Sequence, residues 1–282
     1  MRAWGISVAL LVVVSGCGED DSSSSGAGGS SGTGGAAGSA GSGGSAGSTG
    51  GAAGSSTAFD CLGSVKLPTT TEKQGDLAAQ VLDALSSQPV GAGFTMKACA
   101  KSDATCASPE ATATTDAQGK LSITLPLGQN GYDGFGDLSG PGYLTTLIHL
   151  SRPIIPDSST VSYFLVATEA TYGLFAQGAG VQADPAKGQL VAWTYGCDGK
   201  VTAGVSLELD GGATGTVAYL QGAAVSTSAK ETDAKGIAYV FNAEPGTLGL
   251  TARRAATGEV FGKTTVQVRA KTATALYFHP TP

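Results

Sequence analysis

From Ala58 onward, apolar and polar residues alternate with the period of two that lets one face of a β-strand be buried while the other meets solvent. Phe94 to Cys99, Leu121 to Pro126, Val161 to Val166, Val205 to Leu209 and Ile237 to Phe241 read as strands on this ground. Gln189 to Tyr195, Thr247 to Arg253, Thr264 to Arg269 and Ala273 to His279 extend the series. Two windows depart from it. Leu77, Val81 and Leu85 stand at i, i+4 and i+8, the spacing of a helix face, and Glu169 to Gln177 predicts a short connecting helix.

The turns between strands carry a repeat. Thr115-Asp116-Ala117-Gln118-Gly119 precedes the strand at Leu121, and Thr232-Asp233-Ala234-Lys235-Gly236 precedes the strand at Ile237. A proline-containing turn with Gly128 or Gly246 follows each. Asp at the first turn position accepts hydrogen bonds from backbone N–H groups two residues on, and Gly at the fourth takes the positive φ that returns the chain to the ladder. Both aspartates are therefore expected to make hairpins. A calcium site would need several converging oxygens that their neighbours do not supply, so no metal is expected.

With Pro89-Val90-Gly91-Ala92, Thr115-Asp116 with Gly119, Pro126-Leu127-Gly128 and Gly142-Tyr143 in that order, the chain resembles the carboxypeptidase regulatory-like domains, also called transthyretin-like or prealbumin-like β-sandwiches. The second half keeps Gly204, Thr232-Asp233 with Gly236, and Pro245-Gly246, but lacks the Pro-Val opening and a clear Gly-Tyr. The resemblance implies an all-β fold of two antiparallel Greek-key sandwich units in tandem, at 58–166 and 189–282, joined by a connecting segment at 167–188. It implies an accessory or adhesive role rather than catalysis. It also places a strand before Pro89, and on that ground the window around Leu77 to Leu85 is read as strand rather than helix.

Ahead of these units the composition changes. Met1-Arg2 and the apolar run Ile6 to Val14 form a signal-peptide pattern, too short to cross a membrane. The run ends in Val14-Ser15-Gly16-Cys17, which resembles the lipobox of bacterial lipoproteins. The resemblance implies cleavage after residue 16 and acylation of Cys17, leaving the protein in the cell envelope, anchored by lipid to the outer membrane. Residues 17–57 follow as a linker. Of the chain's 44 glycines, 14 fall between Ser22 and Thr57, where every residue is Gly, Ser, Ala or Thr, so a disordered tether is expected there. The two G-x-S-x-G strings inside it lack the strand and helix that a nucleophile elbow requires.

From Ala58 the chain carries 15 Lys and Arg against 19 Asp and Glu, a mild acidity without a basic stripe that argues against nucleic acid as a partner. Cys61, Cys99, Cys106 and Cys197 make an even number for an oxidising compartment. Cys99 and Cys106 flank a short polar loop and form the natural local disulfide, which leaves Cys61 for Cys197. No catalytic residue and no cofactor is assigned: the only histidines, His149 and His279, lie within apolar strands, and neither belongs to a His-x-x-Glu motif. Each is expected to be a strand residue facing solvent or a neighbour. Trp193 and Tyr195 alternate on one strand face, and at least one is expected in the core. Tyr132, Phe135 and Tyr143, interspersed with Asp133 and Asp137 near a Gly-rich loop, are the candidates for binding a glycan, the alternative being that Phe135 and Tyr143 close the sandwich end; another envelope protein is the other partner expected of the chain.

Overall fold

The structure, a computed structural model, describes residues 56–282. The signal segment, Cys17 and the tether up to residue 55 lie outside the described residues. The fold is all-β, with a single α-helix among the described residues.

The first half supplies β1 (Gln74–Asp83), β2 (Thr95–Ala100), β3 (Ala111–Thr114), β4 (Lys120–Pro126), β5 (Gly134–Ser139), β6 (Thr145–Leu150) and β7 (Val161–Val166). After helix α1 (Glu169–Gly178) come β8 (Gly188–Thr194), β9 (Val205–Leu209), β10 (Thr216–Gln221), β11 (Ala224–Ser226) and β12 (Ile237–Ala243). The chain ends with β13 (Gly246–Arg254), β14 (Val260–Val268) and β15 (Thr272–Phe278). The ambiguous window around Leu77 is thus strand β1, in which Leu77, Ala79 and Val81 are buried. Helix α1 starts where Thr168 accepts a hydrogen bond from the Thr171 N–H, the N-cap device that satisfies an orphan donor of the first turn.

The strands form three sheets. A central sheet of nine runs β11-β10-β12-β8-β15-β6-β5-β2-β3, so it draws on both halves of the chain. Two sheets of three, β4-β1-β7 and β14-β13-β9, pack on it. Alternate residues show that they lie on opposite faces: Val191, Trp193, Ala275 and Tyr277 join the core of β1, β4 and β7, whereas Leu190, Ala192, Leu276 and Phe278 join the core of β9, β13 and β14. Helix α1 covers the first face further along, with Phe175 against Tyr239. The central sheet is thus sandwiched from both sides, by one small sheet on each face, and the two halves of the chain meet within it.

The seam is β15. It pairs parallel with β6 on one side and parallel with β8 on the other, and β1 pairs parallel with β7. These parallel contacts depart from the wholly antiparallel pattern expected of the repeats. For the pairs made by β15 the physical basis is burial on both faces: all seven residues of β15, and all seven of β8, are buried, which is the environment in which parallel strands are found, whereas β1 and β7 keep one face partly exposed.

The repeated turn behaves alike in both halves. Asp116 accepts from the N–H groups of Gln118 and Lys120, and Asp233 accepts from Lys235 N–H and Gly222 N–H. Gly119 and Gly236 sit at φ +71° and +62°, and a side chain at either would press on a carbonyl oxygen, that of Val81 or Thr194. The preceding threonine does more than the sequence suggests. Buried Thr115 accepts from Phe94 N–H and donates to Gly91 O, while buried Thr232 accepts from Val205 N–H and donates to Thr202 O. Each hydroxyl thereby fixes the start of the strand behind it. The layers are exchanged between the repeats: β2 is central and β4 peripheral in the first, whereas β9 is peripheral and β12 central in the second.

Both disulfides are present. Cys99–Cys106 closes a loop over the face of β2 and β5 opposite the β4-β1-β7 sheet, forming a separate small core with Phe135 and Leu147. Cys61–Cys197 ties the start of the described chain to the end of β8, beside a backbone bond from Cys197 N–H to Ala58 O, and Phe59 inserts edge-on against Phe261.

Truncating Phe278, wholly buried where β15 meets β14, is expected to cost about 3–5 kcal/mol through lost transfer energy and the cavity left behind. Urea denaturation of Phe278→Ala against the parent chain checks the magnitude.

Candidate functional site

The aromatic residues singled out for glycan binding are placed in three different surroundings. Tyr132 is buried in the larger core, its hydroxyl donating to Cys99 O at 3.0 Å. Phe135 is buried on the opposite face of the central sheet, stacked on His149 with centroids 5.1 Å apart. Tyr143 is half-buried, edge-on to Phe94 and hydrogen-bonded to Asp83. The two carboxylates nearby are engaged as well: Asp133 pairs with Lys101, and Asp137 pairs with Arg269 at 2.6 Å. These residues form no shared exposed platform. Arg269 also donates to Ala104 O at 2.7 Å, so it clamps the disulfide loop to the sheet.

Neither histidine faces solvent. His149 is buried on the face shared with Phe135, where its Nε2 accepts from Gln267 N–H at 3.3 Å. Burial, with the charges of Lys101 and Arg269 adding to it, pulls its pKa down from 6.5 to about 3. His279, just past β15, is depressed to about 3 in the same way, by burial first and then by Arg152. Neither imidazole is hydrogen-bonded to a serine hydroxyl or a carboxylate among the described residues; Ser151 meets His279 only through the His279 backbone.

A ladder of rings lies on the inner face of β8 and β15. The parallel register sets Tyr277 beside Trp193, and the rings stack in order: Trp193 on Tyr277 at 5.4 Å, Tyr277 near Tyr195 at 6.3 Å, Tyr195 on His279 at 4.8 Å. The Tyr277 hydroxyl donates to Tyr163 O on β7. Three polar atoms of the ladder, Trp193 Nε1, the Tyr195 hydroxyl and His279 Nδ1, are buried without a hydrogen-bond partner. Such a group costs about 1–3 kcal/mol, and native structures hold few, so a cluster of three asks for an explanation. Burial pushes the Tyr195 hydroxyl up to about 12, so it stays protonated and available as a donor.

The end of the ladder borders a cavity of about 90 Å³ between the central sheet and β1-β4-β7. Met96, Tyr132, Ile148, Phe164, Tyr277 and His279 are among its walls, and Ser162 and Tyr163 stand at the half-exposed side of β7. The space exists partly because β5 carries glycine at 134 and 136: a Cβ there would fall 2.3 Å from the Tyr132 hydroxyl or from Met96 Cε. Beside the cavity, Ser151 N–H continues the pairing to Tyr277 O, and Ser151 Oγ accepts from His279 N–H at 2.8 Å and donates to His279 O at 3.0 Å. The next residue, Arg152, is half-buried and has no hydrogen bond or ion pair among the described residues. Sequence reading missed Arg152. Its signal was a lone charge inside the apolar stretch Leu147 to Ile155.

The sequence matches no protein-family description and no curated protein. Among solved structures, the chain is similar to the Bacillus anthracis TIE protein at 13% identity and a TM-score of 0.25, covering 73% of this chain and 34% of that one. The chain thus spans about a third of that protein's length. It is also similar to the shaft pilin SpaA of Lactobacillus rhamnosus GG, at 12% identity and a TM-score of 0.23, over 74% of this chain and 98% of the pilin. A minor pilin of Streptococcus agalactiae gives 17% identity and a TM-score of 0.24 over the same shares.

The depressed histidines fix a sign for pH dependence. The unfolded chain takes up protons as pH falls below about 6.5, whereas the folded chain does so only near 3, so these groups lower stability progressively through that window and leave it unchanged above. Long-range proton–nitrogen NMR spectra of the imidazoles are expected to show both rings neutral at about pH 5; a protonated ring there would contradict the burial.

Proposed function

We propose that this is a lipid-anchored, extracytoplasmic, non-enzymatic protein whose β-sandwich body serves as a binding or structural module of the cell envelope. The observation that carries the reading is the pair of disulfides, Cys61–Cys197 and Cys99–Cys106, which together use every cysteine from Ala58 onward. Such bonds persist in oxidising compartments outside the cytoplasm. The lipobox-like Val14-Ser15-Gly16-Cys17 then gives the means of retention, and two or more acyl chains suffice for stable anchoring. The outer membrane is the proposed site. The resemblance of the two Thr-Asp repeats to carboxypeptidase regulatory-like domains supports an accessory role, and the neutral, hydrogen-bond-poor surroundings of both histidines support a non-catalytic one.

A role as a carbohydrate-binding module draws no support from Tyr132, Phe135 and Tyr143 as placed, because a sugar ring needs an accessible aromatic face and two of the three are in separate cores. The partner proposed is accordingly the membrane, through Cys17, together with another envelope component.

Growth with radiolabelled palmitate is expected to label the parent chain and to fractionate it with membranes, while Cys17→Ala is unlabelled and soluble. An unlabelled, freely secreted parent chain would overturn the anchoring.

A further inference from the structure

A strand at the edge of a sheet presents a row of backbone N–H and C=O groups, which proteins ordinarily cover or guard. Most edges of this fold are treated in that way. On β9, Val205 N–H donates to the Thr232 hydroxyl and Leu207 N–H to the Tyr219 hydroxyl. On β14, Phe261 O accepts from Thr281 N–H, Lys263 N–H donates to Thr281 Oγ1, and Gln267 N–H donates to His149 Nε2. β4 carries Lys120 and Pro126 at its two ends, β11 is only three residues long and lies against α1, and β3 has four residues.

β7, the outer strand of β4-β1-β7, is the exception. Ala84 N–H donates to Val166 O, which fixes the phase of the parallel ladder. Ser162, Phe164 and Val166 therefore turn their backbone groups toward β1, and Val161, Tyr163 and Leu165 turn theirs outward. Among the described residues the N–H groups of these three have no hydrogen-bond partner, and of their carbonyls only Tyr163 O has one, the Tyr277 hydroxyl. The edge is closed only beyond its end, where Leu144 N–H donates to Ala167 O. No charged residue stands between Ser158 and Thr168 to guard it. Since Phe164 and Val166 point into the core, the side chains of Val161, Tyr163 and Leu165 lie on the outer face, in register with Ala78, Gln80 and Leu82, and Val161 is 39% exposed.

We propose that β7 pairs with β7 of a second copy of this chain, antiparallel about a two-fold axis at Tyr163, so that the two small sheets become one continuous sheet. The edge is complementary to itself. Its outward groups sit at Tyr163 and two residues to either side, so a two-fold axis there sets Val161 against Leu165 of the second copy and Tyr163 against its own equivalent. Each facing pair exchanges two N–H···O bonds. On the outer face the same axis makes aliphatic and aromatic cross-strand pairs, which favour pairing. Like charges face to face would oppose it, and the strand has none: the nearest, Asp157 and Glu169, lie beyond its ends, in the turn before β7 and on α1. This reading goes beyond the proposed envelope role and does not depend on acylation of Cys17.

The test uses the full chain carrying Cys17→Ala, so that no acyl group drives association, and follows its mass by sedimentation from micromolar to millimolar concentration. A reversible monomer–dimer equilibrium is expected. Tyr163→Lys, which sets two like charges face to face on the axis, is expected to weaken the dimer at least about tenfold, while Tyr163→Phe retains it. Hydrogen exchange needs no variant and decides the matter even if Tyr163→Lys disturbs folding: the amides of Val161, Tyr163 and Leu165 are expected to gain protection as concentration rises, and those of Ser122 and Thr124 on β4 to stay unchanged. A chain that is monomeric throughout, a dimer that protects other amides, or a Tyr163→Lys chain that dimerises as the parent does would each overturn the proposal. So would a monomer that instead binds a synthetic peptide of the sequence Val161 to Val166 at these amides, since the edge would then serve a different polypeptide.

Discussion

The architecture depends on one strand that must be apolar on both faces. β15 comes last in the chain, yet it lies between β6 of the first half and β8 of the second, with parallel pairing on each side. A parallel neighbour cannot be reached through a tight hairpin, so on each side the seam joins strands that are far apart in the sequence. Ala275 and Tyr277 face one core while Leu276 and Phe278 face the other, so a polar residue at any of the four would be buried without water. Each small sheet then finds its own side of the central sheet already specified.

Several polar devices serve that arrangement. Thr115 and Thr232 each use one buried hydroxyl to start a strand, and the aspartate and glycine after them turn the chain back. The face of β2 and β5 opposite the β4-β1-β7 sheet is closed by the Cys99–Cys106 loop, with Arg269 reaching from the end of β14 to Asp137 and Ala104. Cys61–Cys197 fastens the entering segment to the second half, so a pull on the N-terminal side is borne by the end of β8. A body held to a membrane through its N-terminus would be loaded at that point.

Much of this was legible in the sequence. Alternation located most strands to within a residue or two, and the repeated Thr-Asp turn announced the two halves, because period and turn chemistry are local properties. The parallel pairing and the sharing of one sheet were not legible. β8 and β15 are uniformly buried, and a continuous apolar run does not say which strand lies on either side. The aromatic cluster misled for the same reason. Tyr132 and Phe135 are close in sequence, but a strand sends neighbours to opposite faces, and here both faces are core. The cavity, in turn, arises from glycines at 134 and 136 opposite Met96 and Tyr132, a juxtaposition made by tertiary pairing alone.

If β15 is the seam, the two halves cannot open separately. Native-state hydrogen exchange measured amide by amide is the most direct test. The account predicts that the paired amides of β6, β8 and β15 share one opening free energy, equal to that of global unfolding. Amides of β6 and β8 that exchanged through separate openings of clearly different free energy would contradict it.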